Sequence, residues 1–165
     1  MRPPFAVVPG PAQVSVWDFP RPPRLEAVVD RVRVEFGGEV IADTGRALRV
    51  AETASPPTYY IPRADVRSGA LVPCSGASVC EWKGRATYWT VRTSRAEAER
   101  AAWSYPEPLP AFHALRDHVA FYAGRMDACW VGLHRVVPQP GGFYGGWVTP
   151  DLVGPFKGEP GTGHW

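Results

Sequence analysis

The sequence predicts an all-β domain with only minor short helices. Segments of alternating apolar and polar residues recur along it, two stretches carry the glycine-centred signature of a hairpin, and the two possible helices are short. A chain of 165 residues fits one domain, and at that size roughly two-thirds of the unfolded surface can be buried.

Each element follows from local pattern. Val14 to Pro23 opens with alternating apolar residues and then becomes extended and proline-stiffened, with Trp17 and Phe19 expected to anchor it. Arg31 to Phe36 alternates without a fault, and Gly37-Gly38 followed by Glu39 to Asp43 completes a hairpin. As a strand, Arg46 to Thr53 puts Leu48 and Val50 on one face with Arg46 and Glu52. Charge on an apolar face belongs either at a wet rim or in a pocket, because an unpaired buried ion costs several kcal/mol. Thr58 to Pro62 is another strand, whose adjacent Tyr59 and Tyr60 must point to opposite faces. From Pro62 to Val79 mostly turn is expected, with a short helical piece at Arg63 to Val66.

Cys80 to Trp89 is predicted to be a core strand with a working edge. Alternation sets Trp82, Gly84, Ala86 and Tyr88 on one face, so that Gly84 and Ala86 leave a gap between two aromatic rings. Ser94 to Ala102 is ambiguous. The Ser94 and Glu97 capping-box spacing and the Ala, Glu and Arg content favour a helix, which Pro106 would end. His118 to Tyr122, Ala123-Gly124 and Arg125 to Val131 read as a second hairpin, and the strand count keeps the class all-β. Of the last 28 residues, Pro138 to Trp165, thirteen are Gly or Pro, yet Phe143, Tyr144, Trp147, Phe156 and Trp165 are spread among them. Disordered segments are poor in such rings. The tail is therefore expected to be pinned over its own body or over a neighbouring subunit.

Four stretches carry a resemblance. Val16-Trp17-Asp18-Phe19-Pro20-Arg21-Pro22-Pro23, Pro57-Thr58-Tyr59-Tyr60-Ile61-Pro62, Cys80-Glu81-Trp82-Lys83-Gly84 and Ala101-Ala102-Trp103-Ser104-Tyr105-Pro106 together resemble the bacterial domain-of-unknown-function family 427. The likeness runs from about Val14 to Val136, which sets residues 14–136 as the core domain and 137–165 as an extended tail. Pro138 to Trp147 resembles an extension found in one branch of that family. The resemblance implies a compact antiparallel fold akin to the β-tent group, which includes the type-B methionine sulfoxide reductases and the drug-binding domain of cereblon. It implies no established activity.

Members of that wider group often hold a structural zinc between two C-x-x-C pairs, and neither pair is present here. The nearest substitute is Cys74, Cys80, Cys129 and His134, but residues five apart on one strand face opposite ways, so no metal is expected. No motif of a type-B reductase surrounds the three cysteines, and each is expected to act as a small apolar packing residue. No cofactor motif, phosphate loop or Ser-His-Asp order is visible.

The expected ligand-binding residues are Trp82, Tyr88, Trp89, Trp103 and Tyr105, with Tyr59 or Tyr60, because tryptophan-rich β domains can form a cage for a small cyclic or cationic ligand. A tryptophan-rich core without a ligand is the plain alternative. Catalysis is the rival reading. Sixteen of the 18 basic residues are Arg, and the two lysines sit in like settings, Trp82-Lys83-Gly84 and Phe156-Lys157-Gly158. Lysine can lose its proton when desolvated, so Glu52 and Lys83 are the candidate acid–base pair, and Lys157 is expected at the rim of the pocket.

Charge and cysteine usage limit the partners. Eighteen basic against 16 acidic residues, a net of +2, gives no field that argues for nucleic acid or an anionic membrane. Residues 1–11 lack the continuous apolar run of an export signal, and three cysteines without a C-x-x-C pair fit a reducing compartment, so a cytoplasmic location is expected. The sequence thus points to a small-molecule-binding β domain. An enzyme using Glu52 and Lys83, or an interaction module using the tail, stands as the alternative, and a homodimer is possible.

Overall fold

A computed structural model describes residues 2–80 and 82–165. The first half of the chain supplies strands β1 (Val14–Ser15), β2 (Arg24–Ala27), β3 (Val32–Phe36), β4 (Glu39–Thr44), β5 (Leu48–Ala51), β6 (Thr58–Pro62) and β7 (Leu71–Cys80). The second half supplies β8 (Gly84–Arg92), β9 (Glu97–Ser104), β10 (His118–Phe121) and β11 (Ala128–Val131). Four two-residue strands follow: β12 (His134–Arg135), β13 (Val137–Pro138), β14 (Trp147–Val148) and β15 (Leu152–Val153). Helical structure among the described residues is limited to short 3-10 segments, so the protein is all-β. Pairing is antiparallel except between β1 and β15.

Two sheets carry the body. The larger has seven strands in the order β2-β5-β6-β10-β9-β8-β7, and the smaller has four in the order β12-β11-β3-β4. The strand period of two divides the large sheet's side chains between its faces. Tyr59, Ile61, Val91, Ala102, Val119 and Phe121 turn toward Val32, Val34, Ile41 and Val131 of the small sheet and make the main core. Their neighbours Val50, Tyr60, Ala86, Tyr88, Trp103 and Ala120 turn the other way and form a second cluster with Phe112 and Leu115 of the 3-10 segment Pro110–Leu115. This second face carries the cavity described below.

The first hairpin forms as expected, with Gly37 and Gly38 at positive φ between β3 and β4. Other segments differ from expectation. Ser94 to Ala102 is no helix: Ser94 and Arg95 lie in a turn closed on the Thr93 hydroxyl, and β9 then runs between β8 and β10. Its alternation is broken by a bulge between Trp89 and Val91 and by Arg100 at φ 52°, so its local pattern does not read as a strand. The expected turn before Val79 is mostly β7, an edge strand whose periodicity is hidden by Pro73 and by a bulge between Cys74 and Ala77. The second expected hairpin is not one. β10 belongs to the large sheet and β11 to the small one, and the 3-10 segment Ala123–Arg125 carries the chain between them.

The C-terminal tail lies on its own chain. Trp147 is fully buried, stacks on Tyr59 at 5.1 Å and donates its indole N–H to the Phe121 carbonyl at 3.0 Å. Phe156 packs against the cluster of Val16, Phe19, Ala51 and Leu152. Trp165 stacks on Phe5 and meets Trp17 edge to face, which brings the two ends of the chain together. Phe143, by contrast, stays exposed. No described helix is long and apolar enough to cross a membrane.

Candidate functional site

A cavity of about 420 Å³ opens on the face of the large sheet turned away from the small sheet. One of its lining residues, Ala86, is small. Ala86 lies on β8 between Gly84 and Tyr88, and the space above it is the cavity. Gly84 serves a different purpose, because a Cβ there would stand 3.3 Å from the Glu107 carbonyl oxygen. The glycine at φ 111° lets residues 107–109 approach, and the Leu109 N–H donates to the Lys83 carbonyl at 2.9 Å. The expected gap between two rings is thus filled by backbone at Gly84 and left open at Ala86.

Trp82 and Lys83 form the turn between β7 and β8 instead of continuing a strand, because Cys80 pairs with Gly84. Glu81, next to Trp82 in sequence, lies outside the described residues. The turn points both side chains into the cavity. Tyr88, Trp103 and Tyr105 line the walls, and Tyr60 lies fully buried behind them, its ring 6.3 Å from those of Trp103 and Tyr105. Neither expected tyrosine lines the cavity itself: Tyr60 is on this side of the sheet but is covered by the lining residues. Tyr59 faces the main core, stacks on Trp147 and lies near Arg49, so it is not part of this cavity. Trp89 is also elsewhere: one residue past Tyr88, it points to the opposite face, donates to the Ser104 hydroxyl at 2.9 Å and lies under Arg63. The period of two that placed Tyr88 in the cavity excludes its neighbour.

Hydroxyl groups are distributed around these rings. Tyr88 and Ser78 share a hydrogen bond of 2.7 Å across β7 and β8, and Thr58 donates to the Tyr60 oxygen at 3.3 Å. Burial pushes the Tyr105 phenol up and that of Tyr122 up to about 12, so both remain O–H groups at neutral pH.

Charged residues reach the cavity from three segments. Glu52 lines it just beyond the end of β5, held by Arg21 at 3.6 Å. Arg46, placed with it by the sequence pattern, lies in the preceding loop and pairs with Asp65 at the wet surface. Of the two alternatives for charge on that face, Arg46 takes the rim and Glu52 the pocket. Lys83 enters from the β7–β8 turn, its Nζ 5.6 Å from the centre of the Tyr105 ring. Burial works against the Lys83 charge, but the neighbouring Tyr60 and Cys80 groups, with Glu52 behind them, outweigh it and hold its pKa above the ordinary lysine value. A raised pKa keeps the ammonium charged at neutral pH, which does not suit a base or an amine nucleophile. Lys157 enters from the tail with its Nζ 5.2 Å from the Tyr144 ring, its own N–H bonded to the Ala54 carbonyl and its carbonyl accepting from Gln139.

The tail contributes further residues that sequence reasoning missed. Gln139, Phe143, Tyr144 and Gly145 line the cavity, as does Tyr122 just after β10. The crowding of glycine and aromatics at Gly141 to Trp147 is the signal that could have found them. A Cβ on Gly145 would overlap the Trp103 indole, so glycine is what lets this loop close over the ring. The same loop borders a second hollow of about 840 Å³ beside Arg100 and Arg125.

Among the described residues no three His, Cys, Asp or Glu side chains are arranged to hold a metal ion. Cys74 and Cys80 sit on β7, whereas Cys129 is buried in β11 of the other sheet, where burial pushes its thiol up.

An all-β domain with a cavity of aromatic rings, hydroxyls and two ammonium groups on one sheet face is the class that fold and site define. Residues 24–132 match the family described as Domain of unknown function (DUF427), and the chain belongs to that family. No curated protein sequence matches the chain. The match ends before the tail, so Gln139, Phe143, Tyr144 and Lys157 reach the cavity from outside the matched region.

Proposed function

We propose that this protein binds a small molecule in the cavity between β5, β8, β9 and the tail. The observation that carries the reading is the combination of a space of about 420 Å³ with walls of Trp82, Tyr88, Trp103 and Tyr105, floored by Ala86. Ligand sites are concave, largely apolar and provided with a few polar groups that orient the guest. A core built only for stability fills such space with side chains.

The enzymatic alternative draws less support. Glu52 and Lys83 both line the cavity, yet no ion pair within 4.0 Å joins them; Glu52 is engaged by Arg21 and Lys83 is held charged. A role for the tail as an interaction module draws less still, since Trp147, Phe156 and Trp165 are spent on the chain's own body. Nor does covering the cavity require a second subunit. The free cysteines accord with a reducing, cytoplasmic setting.

Native mass spectrometry of the purified chain tests the reading, alongside melting curves with fractionated small-molecule extracts. The expected result is a retained molecule, or a fraction that raises Tm, with both effects lost in Ala86→Leu, which fills the floor of the cavity. A bare mass together with no shift from any fraction overturns it.

A further inference from the structure

The chain has two lysines, and although they are far apart in sequence both line the same cavity. One comes from the β7–β8 turn and the other from the tail beyond the family match. The Lys83 Nζ lies 5.6 Å from the centre of the Tyr105 ring and the Lys157 Nζ 5.2 Å from that of Tyr144, both rings of the lining. Glu52 is the one carboxylate among the described lining residues, and Arg21 already offsets it. Neither lysine has an ion-pair partner among the described residues. The lining therefore presents two ammonium groups against a carboxylate that is already paired. Beside them lie hydroxyl groups of Thr58, Ser78 and Tyr105, and the remaining wall is aromatic.

We propose that the ligand is a planar organic anion whose carboxylate or phosphate pairs with the lysines of the cavity while its ring lies against the aromatic wall, so that the tail, through Lys157, completes the site. An ammonium is a compact point charge that pairs with either anion, and an ammonium–anion bond is stronger than a neutral one. Aromatic walls select the flat body of the guest. This runs against the cationic guest that an aromatic cage alone would suggest, because the lysine charges would repel it.

The inference rests on the binding reading, and its test is separate. Four matched probes are titrated calorimetrically into the full chain: indole-3-acetate, 1-naphthyl phosphate, neutral indole-3-acetamide and cationic tryptamine. At least one of the two anions is expected to bind, with the neutral and cationic probes about tenfold weaker or undetected. The stronger anion shows whether the site prefers a carboxylate or a phosphate. Lys157→Gln, whose side chain is partly exposed, is expected to weaken the anion about tenfold, and Lys157→Arg to restore part of the loss. Lys83→Gln serves as the second variant once circular dichroism shows it folded. Equal binding of neutral and anionic probes, anion binding unaffected by Lys157→Gln, or no probe bound overturns the proposal. A neutral or cationic molecule retained in the mass spectrometer would overturn it too, while leaving the binding reading intact.

Discussion

At the scale of single residues, Tyr60 and Gly145 carry the most consequence. Tyr60 is fully buried between the rings of Trp103 and Tyr105, and its oxygen accepts from Thr58 beside the Lys83 ammonium. Tyr60→Phe leaves that hydroxyl and that charge with one partner fewer, which costs about 1–2 kcal/mol. Urea denaturation measures the loss, and an unchanged midpoint would show the phenol to be idle. Gly145 acts by what it lacks, since any Cβ there overlaps the Trp103 indole. Gly145→Ala is expected to lift the tail loop from the cavity at a cost of about 1–3 kcal/mol. Increased quenching of tryptophan emission by acrylamide would report the opening, and quenching equal to that of the wild type would contradict it.

Among the elements, the junction of β4 with the 3-10 segment Arg63–Asp65 has a defined acid response. The Arg46 guanidinium first, and then the Thr44 hydroxyl, hold the Asp65 carboxyl below its ordinary value of 3.8. A carboxyl depressed in the folded chain adds stability that is full above about pH 4 and fades as pH falls through its folded value. Asp65→Asn should therefore be slightly less stable than the wild type at pH 7, since an exposed pair is largely screened. The gap should close on acidification below the ordinary value, and a gap that stayed constant from pH 7 to pH 2 would rule out this linkage. The element that sequence misjudged most, β9, shows where local reading fails. Its composition favours a helix, but as a strand Ala98, Ala101, Ala102 and Trp103 are buried between β8 and β10. Intrinsic propensity is a weak prior against that much burial.

For the molecule as a whole, the tail is part of the fold. Trp147 closes the main core from outside the family match, and Trp165 closes a ring cluster with Phe5 and Trp17. Trp147→Ala is expected to cost about 3–5 kcal/mol, or a fall in Tm of roughly 10 °C for a chain of this length. Removing residues 138–165 should lower Tm at least as far and raise binding of an apolar dye, with the far-UV spectrum still that of strands. A melting temperature unaffected by the truncation would mean that the tail does not hold the body.

The sequence by itself determined the all-β class, the β3–β4 hairpin, the strand with two opposed tyrosines and the singularity of the two lysines. Each of these is written locally, in a period of two, a glycine turn or a residue count. Only the tertiary structure decided that Tyr60 joins the cluster behind the cavity while Tyr59 joins the main core, that Trp89 faces away, and that β10 and β11 part into different sheets. It alone decided that Lys83 and Lys157 line one cavity. The alternation says that neighbouring side chains diverge but not which face becomes core, because that depends on strands paired from distant parts of the chain and on bulges that shift their register. The sharing of that cavity depends on the tail folding back on the body, with Trp147 bonded to Phe121 and Pro57, Gly145 against Trp103 and the Lys157 backbone N–H on Ala54, contacts between residues far apart in sequence that no local pattern encodes.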